Sequence, residues 1–242
     1  MKVVCVYKSG GDYDARYVEN LAQAVHRYIH CNFDFVCLTD RPREVENVAD
    51  VIELQHDLPG WWSKIELFNP KILYDDVILY FDLDVLLMKD LDDLVDVANA
   101  SFYPLFLRSA DLVGKSKDWP STSIMSWKGQ MMEEVYKKFF RIGPEKVVEE
   151  LQDNTFRAGQ RTDQGFVRTV INPPEKFQDL LPGGYILYKR NYLRYPSRIK
   201  RAHILNWTGK PRFHNMDRSK EMYEFINLWD NQEQWKLNDH QY

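Results

Sequence analysis

The stretch Asp76-Val77-Ile78-Leu79-Tyr80-Phe81-Asp82-Leu83-Asp84-Val85-Leu86-Leu87 decides the fold of this chain. Residues 77–81 are apolar or aromatic without a break, which is typical of a strand buried on both faces of a parallel sheet. Side chains alternate along a strand, so Asp82 and Asp84 are predicted to point to the same side, where they repel each other unless a cation or proton lies between them. Hard oxygen ligands favour Mg²⁺ or Mn²⁺, so the pair predicts a divalent metal site at the carboxyl end of a central strand. The alternative is a pair of solvated aspartates in the loop that ends the strand.

The sequence on either side of this stretch alternates between strand and helix patterns. Apolar runs predict strands over residues 2–7, 33–39, 50–54, 102–107, 122–127, 185–188 and 202–206. Helical spacing predicts helices over residues 14–29, 61–68, 91–97, 130–141 and 144–151, one that begins at Thr162, and a tail from 219 whose apolar stripe is Tyr223, Ile226 and Trp229. This alternation predicts an α/β fold with right-handed crossovers and a mostly parallel central sheet flanked by helices.

Length and composition limit the classes of protein that remain. A chain of 242 residues without a repeat or linker is predicted to form a single domain. Its 32 basic and 36 acidic residues give a net charge of −4, which argues against nucleic acid as the main partner. Cys5, Cys31 and Cys37 follow no metal-binding spacing, so reduced thiols are expected. Because the first strand begins at residue 2 and no apolar run is long enough for a transmembrane segment, we expect a cytoplasmic protein or a domain of a larger chain.

Several motifs, in their order along the chain, resemble nucleotide-sugar glycosyltransferases with the GT-A fold. They are Trp61-Trp62-Ser63-Lys64-Ile65-Glu66-Leu67-Phe68, Leu79-Tyr80-Phe81-Asp82-Leu83-Asp84, Ser121-Thr122-Ser123-Ile124-Met125-Ser126-Trp127, Thr162-Asp163-Gln164 and Gly209-Lys210-Pro211. They are most similar to glycosyltransferase family 8, the glycogenin and lipopolysaccharide galactosyltransferase group, with its bacterial and viral relatives. The resemblance implies a Rossmann-like GT-A domain over residues 1–242. Its nucleotide-binding half would cover about residues 1–110, its acceptor-binding and metal-completing half about 111–214, and a helical tail 215–242.

The resemblance also implies an activity. The chain would be a metal-dependent glycosyltransferase that moves a sugar from a nucleotide-diphosphate donor, a UDP-sugar, to a glycan or another hydroxyl acceptor, with retention of configuration as the expected outcome. Asp82 and Asp84 would hold Mn²⁺ or Mg²⁺, and Asp163 and Gln164 would lie beside the transferred sugar. The implied donor-binding residues are Tyr7, Asp12, Tyr13, Tyr17, Lys64, Asp82, Gly209 and Lys210. Simpler readings exist for some of them, since Lys210 fits a solvated loop and an acid such as Asp163 is favoured in the first turn of any helix.

The third metal ligand departs from the family pattern. Family 8 has a His three residues before the Gly of its Gly-Lys-Pro loop, where this chain has Asn206. An Asn carbonyl oxygen can ligate a hard cation, though more weakly than imidazole or carboxylate does. His203 and His214 are alternatives, although on an extended strand His203 would face the opposite side from Asn206. The predicted ligand set is therefore Asp82, Asp84 and Asn206, with the two histidines left open.

Two other functions are compatible with the central motif. Phe81-Asp82-Leu83-Asp84-Val85 also matches haloacid-dehalogenase-type phosphatases, in which the first Asp is a covalent nucleophile. That motif normally ends the first strand of its domain, whereas 81 residues precede Asp82 here, and the second acidic motif of those phosphatases is missing. The other alternative is a non-catalytic nucleotide-sugar-binding domain of the same fold, which Asn206 in place of the family's His favours.

Overall fold

The computed structural model describes residues 1–74, 77–108, 120–152, 161–171 and 175–216. Its strands are β1 (Lys2–Tyr7), β2 (Asp34–Thr39), β3 (Asp50–Glu53), β4 (Ile78–Phe81), β5 (Val85–Leu87), β6 (Leu105–Arg108), β7 (Pro120–Trp127), β8 (Glu175–Lys176), β9 (Ile186–Tyr188) and β10 (Ile204–Asn206). Its α-helices are α1 (Ala15–Tyr28), α2 (Pro42–Val45), α3 (Asp92–Ala100), α4 (Glu133–Ile142), α5 (Pro144–Gln152), α6 (Asp163–Val170), α7 (Phe177–Leu180) and α8 (Lys189–Arg194). Gly60–Phe68, Pro196–Arg201 and Phe213–Asn215 form 3-10 helices.

A seven-stranded central sheet has the strand order β3-β2-β1-β4-β7-β6-β8. The pairs β3–β2, β2–β1, β1–β4 and β6–β8 are parallel, and β7 runs antiparallel to both of its neighbours. The central strand β4 is buried along its whole length, as its unbroken apolar sequence predicts. The predicted α/β fold with a mostly parallel sheet is confirmed.

The two faces of the sheet carry separate hydrophobic cores, and β1 contributes to both. Val3 and Cys5 pack in the core that contains α1, whereas Val4 and Val6 pack in the core that contains the 3-10 helix Gly60–Phe68 and α4. This follows from the alternation of side chains along a strand. Because both faces are covered, the polar side chains that could meet a ligand are confined to the ends of the strands.

A second, three-stranded sheet has the order β5-β10-β9. The sequence does not reveal β5 as a separate strand, because Val85–Leu87 continues the apolar character of the central stretch. In the structure β5 pairs antiparallel with β10, and Val85 lies opposite Asn206. The backbone N–H of Trp207 donates a 3.1 Å hydrogen bond to the carbonyl oxygen of Asp84. The second sheet therefore brings the loop that follows β10 to the carboxylate pair.

Several elements differ from the sequence prediction. The strand predicted over residues 102–107 begins only at Leu105, because Phe102 and Tyr103 lie exposed in a bend. Lys189 and Arg190, which directly follow the strand predicted over residues 185–188, begin α8. The short elements α2, β8, α7 and α8 have too few residues to show a periodicity. The central stretch's first residue, Asp76, and the predicted tail helix with Tyr223, Ile226 and Trp229 lie outside the described residues.

The sequence also predicts reduced thiols and no transmembrane segment. Cys5, Cys31 and Cys37 are all free, and the first and last of these are buried. None of the helices in the described parts of the chain combines the length and the apolar character that crossing a membrane requires.

Candidate active site

A cavity of about 500 Å³ opens at the carboxyl ends of β1 and β4. Ligands of open α/β sheets bind at this end of the strands. The 3-10 helix Gly60–Phe68, the N-terminus of α6 and the loop that includes Thr208, Gly209 and Arg212 also line the cavity. Its charged lining residues are Lys8, Asp12, Lys64, Asp82, Asp84, Asp163 and Arg212. The cavity therefore combines acidic and basic groups, of which Lys64 and Asp163 lie on helices and the others on the connections at the strand ends.

Lys64 lies between two of the acids. Its Nζ is 2.6 Å from a carboxylate oxygen of Asp82 and 3.8 Å from one of Asp163, and its side chain is 15% exposed. Burial by itself lowers the pKa of Lys64, but the charges of Asp163 and Asp82 outweigh burial and raise the pKa above its ordinary value. Lys64 is therefore a permanent cation in the cavity and partly neutralises both acids.

Asp84 is held by a different set of groups. One of its carboxylate oxygens accepts a 2.9 Å hydrogen bond from the Tyr13 hydroxyl and a 2.5 Å hydrogen bond from Nη1 of Arg212. The Arg212 guanidinium also lies 4.6 Å from the centre of the Tyr13 ring and donates from Nε to Asp12 at 3.3 Å. Burial and the nearby charge of Asp82 raise the pKa of Asp84 to about 6, although Arg212 opposes the shift. The two carboxylates of the central motif are thus close enough to repel each other, and each has its own basic partner.

Asp163 is the first residue of α6 and is buried. Its carboxylate accepts a short hydrogen bond from the Thr122 hydroxyl, which projects from β7. Burial raises the pKa of Asp163, while the charge of Lys64 and the Thr122 hydrogen bond act in the opposite direction. The neighbouring Gln164 lies with its Nε2 3.5 Å from the Thr162 hydroxyl. A strand and a helix therefore fix this acid in the cavity.

Solved glycosyltransferases resemble this structure over nearly the whole of its length. GlyE from Streptococcus pneumoniae TIGR4 is 15% identical in sequence, with a TM-score of 0.62 over 94% of this chain and 60% of GlyE. The galactosyltransferase LgtC, crystallised in complex with donor and acceptor sugar analogues, is 13% identical, with a TM-score of 0.65 over 96% of each chain. The chain has the GT-A fold. The bifunctional glycosyltransferase WbbM is 14% identical, with a TM-score of 0.58 over 95% of this chain and 48% of WbbM.

The chain thus spans about three-fifths of GlyE and about half of WbbM. No protein-family profile and no curated protein sequence matches it. At identities of this order, the likeness concerns the GT-A fold, and the chemistry of the site has to be argued from the residues of this chain.

Within the GT-A fold, most of the predicted site residues meet in the cavity. Those that line it are Asp12, Tyr13, Lys64, Asp82, Asp84, Asp163, Gln164 and Gly209. Tyr7 and Tyr17 do not line the cavity, although the segment between them contributes Asp12 and Tyr13 to it. The Tyr7 hydroxyl donates a 2.7 Å hydrogen bond to Glu44, and the Tyr17 hydroxyl lies 2.8 Å from Nδ1 of His214. Their hydroxyls therefore support the surrounding structure rather than the cavity.

The mouth of the cavity carries Lys210 and one of the two tryptophans. Lys210 is exposed, and its Nζ lies 3.5 Å from a carboxylate oxygen of Asp12. Trp61 is 53% exposed and lines the cavity, whereas Trp62 is buried and stacks on Phe139 with the ring centres 5.6 Å apart. Trp61 is therefore available to a ligand, and Trp62 belongs to the core.

Asn206 and the two histidines differ in their surroundings. Asn206 is fully buried, and within the described residues neither its side-chain nitrogen nor its side-chain oxygen has a hydrogen-bond partner. The ring of His203 stacks on Tyr185, and its Nδ1 lies 2.5 Å from the carbonyl oxygen of Asp90. His214 is engaged by Tyr17. Of the three candidate ligands, only Asn206 has a polar side chain without a partner among the described residues. Asn206 does not line the cavity, but its backbone pairs with Val85, the residue that follows Asp84.

A group of three possible metal ligands occurs elsewhere among the described residues. His30, Asp90 and Asp92 lie together at the surface, with Nδ1 of the histidine 3.0 and 3.1 Å from the two carboxylates. All three are exposed, and the histidine and the acids form ion pairs when the histidine is protonated. None of the three lines the cavity.

Arg212 and Thr122 are cavity-related residues that the sequence analysis does not identify. Arg212 directly follows the Gly-Lys-Pro motif, and this position in the sequence is the feature that could have indicated its place at the cavity. Thr122 lies in the motif Ser121–Trp127, but its hydrogen bond to Asp163 joins residues that are distant in sequence. The pairing of β7 with its neighbours and the position of α6 bring the side chains of Thr122 and Asp163 together.

Proposed function

We propose that the chain is a glycosyltransferase that moves a sugar from a nucleotide-diphosphate donor, a UDP-sugar, to a hydroxyl group of a glycan or another acceptor. The observation that carries this proposal is the meeting of three carboxylates, those of Asp82, Asp84 and Asp163, with the partly buried cation Lys64 in one cavity of a GT-A fold. LgtC, which shares the fold, was crystallised with donor and acceptor sugar analogues, and this supports a cleft that receives both substrates.

The basic residues of the cavity would bind the diphosphate of the donor. Arg212 would exchange its contact with Asp84 for phosphate oxygens, because a guanidinium matches phosphate in shape and charge. Lys210, at the rim and exposed, would approach the diphosphate from the loop as a point charge. Asp12 and Tyr13, at the end of the first turn, would contact the nucleoside.

The residues around Asp84 fit a bound Mn²⁺ or Mg²⁺ ion. Asp82, Asp84 and Asn206 offer hard oxygen ligands, which these cations prefer. A buried amide without a hydrogen-bond partner is costly, and ligation of a cation by the Asn206 oxygen would relieve that cost. When bound, the cation would stabilise the negative charge of the leaving nucleoside diphosphate.

Asp163 and Gln164 would lie beside the transferred sugar. Positive charge develops on the anomeric carbon as its bond to the diphosphate breaks, and the buried Asp163 carboxylate would stabilise that charge. Lys64, 3.8 Å away, favours the ionised form of this acid. Retention of configuration is the stereochemical outcome that we propose from the resemblance to family 8.

Release of UDP from a panel of UDP-sugars, measured with Mn²⁺ and without an acceptor, tests this function. We expect slow hydrolysis of one UDP-sugar, lost in the presence of EDTA, because transferases of this kind expose the activated sugar to water when no acceptor is bound. Nucleotide binding without turnover would instead support the non-catalytic binding domain. Release of inorganic phosphate from phosphomonoesters would support the phosphatase, for which the GT-A fold provides no support.

A further inference from the structure

A second cavity, of about 450 Å³, lies beside the candidate active site, and we refer to it as the basic groove. It is formed by α8 and the loop after β10, and its lining residues are Lys189, Arg190, Leu193, Arg194, Thr208 and Lys210. Thr208 lines both the basic groove and the cavity that contains Asp82 and Asp84. The two cavities are therefore neighbours, separated by the loop that carries Gly209 and Lys210.

The part of the chain that forms the basic groove contains no acidic residue. Residues 180–216 include eight lysines and arginines and no aspartate or glutamate, in a chain whose net charge is −4. The basic residues are Lys189, Arg190, Arg194, Arg198, Lys200, Arg201, Lys210 and Arg212. A one-sided concentration of charge of this kind creates a positive potential that attracts anions.

Lys189 is the least solvated of these cations. Only 8% of the residue is exposed, its Nζ donates a 2.8 Å hydrogen bond to the carbonyl oxygen of Lys210, and it lies 4.5 Å from the centre of the Trp207 ring. Burial and the charge of Arg212 lower the pKa of Lys189, while Asp84 acts in the opposite direction. Among the described residues it forms no ion pair. The carbonyl and the ring stabilise the ammonium but carry no net negative charge, so an anion that approaches Lys189 would stabilise it further.

Arg190 and Arg194 are four residues apart on α8, so they lie on the same side of the helix. Both are exposed, and neither forms an ion pair with any residue that the structure describes. Like charges at this spacing destabilise a helix, and no ion pair among the described residues offsets this repulsion in the six-residue α8. An anion between them would remove the repulsion, and two guanidinium groups suit the several oxygens of a phosphate.

From this groove we propose that the acceptor of the transfer reaction is a phosphorylated sugar, whose phosphate binds to Lys189, Arg190 and Arg194 while its hydroxyl group faces the candidate active site. This inference rests on the proposed function, because an acceptor exists only if the chain is a transferase. The position of Thr208 supports it, since this residue lines both cavities and the groove therefore directly adjoins the proposed donor site. The groove is not needed for the donor, whose diphosphate has Arg212, Lys64 and Lys210.

Binding of sugar phosphates to the full chain tests the inference. The probes are hexose 1-phosphates, hexose 6-phosphates and the corresponding neutral hexoses, titrated in a calorimeter with Mn²⁺ and saturating UDP so that the donor cavity is blocked. We expect at least one sugar phosphate to bind roughly tenfold more tightly than its neutral hexose, as charge-assisted hydrogen bonds from arginine predict. Inorganic phosphate alone should bind more weakly than the sugar phosphate, because it lacks the sugar.

A double variant identifies the site. Arg190→Gln with Arg194→Gln should lower the affinity for the sugar phosphate to that for the neutral hexose, and should leave the affinity for UDP within about twofold. The matched control is Arg198→Gln with Arg201→Gln, which removes the same charge from the same acid-free segment but outside the groove. Equal losses in the two double variants would mean that diffuse charge, and not the groove, binds the phosphate, and would overturn the inference.

Three other results would also overturn it. The first is equal affinity for sugar phosphate and neutral hexose. The second is binding to phosphatidylglycerol vesicles without binding to any sugar phosphate, which would make the basic segment a membrane-facing surface. The third is a fall in melting temperature of the Arg190 and Arg194 double variant without sugar-phosphate binding to the unmodified chain, which would show that these arginines stabilise the fold. If UDP-sugar hydrolysis fails while the groove binds sugar phosphates as expected, the proposed function is wrong and the anion site stands.

Discussion

At the scale of single residues, a substitution of Asp84 tests the proposed metal dependence. Its carboxylate is buried, repelled by Asp82 and paired with Arg212. We expect Asp84→Asn to remove most of the Mn²⁺-dependent affinity for UDP, because an amide is a weaker ligand and carries no charge. The fold should remain intact, since the amide oxygen can still accept from Tyr13 and Arg212.

Calorimetric titration of UDP with Mn²⁺ into the variant measures the effect. Asp34→Asn, at an exposed position on β2, is the control. An affinity unchanged from that of the unmodified chain would remove Asp84 from the metal site.

Asn206 allows a second test of the ligand set. If its side-chain oxygen is a ligand, Asn206→His should preserve or tighten Mn²⁺ binding, and Asn206→Ala should weaken it by roughly tenfold, the effect of losing one ligand interaction. His203→Ala should leave the affinity unchanged, because His203 is engaged by Tyr185 and Asp90. Mn²⁺ affinity, measured by electron paramagnetic resonance, compares the three variants. Damage from His203→Ala alone would show that the assignment of Asn206 is wrong.

A substitution of Asp163 tests catalysis separately from nucleotide binding. We expect Asp163→Asn to lower the turnover of the UDP-sugar by roughly a hundredfold or more while UDP remains bound, because charge stabilisation is needed in the transition state and not for the nucleotide. A residue that only begins a helix would behave differently, since Asn serves there almost as well as Asp. Steady-state kinetics together with UDP titration distinguish the two roles. Normal turnover in the variant would leave Asp163 as a structural residue.

Some residues of the candidate active site can be predicted from the sequence and others cannot. Alternation along one strand predicts that Asp82 and Asp84 act as a pair, but β4 ends at Phe81 and both residues lie in the short connection to β5, where they still line the same cavity. Lys64 is predicted from a motif of the resembled family. The contact of Arg212 with Asp84 could not be predicted in the same way. It depends on the antiparallel pairing of β5 with β10, and β5 is only three residues long. A contact between a short strand and a loop distant in sequence leaves no periodicity to read.

At the scale of elements, the 3-10 helix Gly60–Phe68 carries Lys64 and has to be fixed in place. Glu66 on this helix is fully buried, and its carboxylate accepts hydrogen bonds from the backbone N–H groups of Gln55 and His56 at 2.6 and 3.0 Å. These bonds join the helix to the segment after β3. The sequence predicts the helix from its apolar residues, but a buried Glu in an apolar run gives no indication of its partners.

Glu66→Gln is therefore expected to destabilise the fold. An amide replaces one of the two acceptor oxygens with a donor that faces a backbone N–H, so one buried donor loses its partner. We expect a loss of about 1 to 3 kcal/mol in the free energy of unfolding. Urea denaturation followed by circular dichroism measures it, with Glu46→Gln at an exposed position as the control. Equal stabilities of the two variants would contradict a structural role for these hydrogen bonds.

At the scale of the whole molecule, the parallel half of the sheet is what the sequence predicts best. β1, β2 and β4 are largely apolar runs that are buried after their first residues, and they pair in parallel as predicted. In the C-terminal third, the strands predicted over residues 185–188 and 202–206 are present as β9 and β10, but the two-residue β8 and the pairing of β10 with the three-residue β5 are not predictable from such short segments. The basic groove belongs to this third, which is why it emerges only from the structure.

The whole molecule should respond to its donor as a single cooperative unit. A ligand that binds only the native state raises the free energy of unfolding by about 2.7 kcal/mol at a concentration one hundred times its dissociation constant. For a chain of this size, each kcal/mol raises the melting temperature by roughly 2 to 4 °C, so saturating UDP with Mn²⁺ should raise it by roughly 5 to 10 °C. UDP without a divalent cation should give a smaller shift, because the diphosphate would then face the carboxylates of Asp82 and Asp84 without the intervening charge. ADP and GDP with Mn²⁺ test the choice of nucleotide, and Asp84→Asn serves as the control that should lose the cation-dependent part. An equal shift with and without Mn²⁺ would mean that Arg212 and Lys64 alone neutralise the diphosphate, and the metal site would then have to be abandoned.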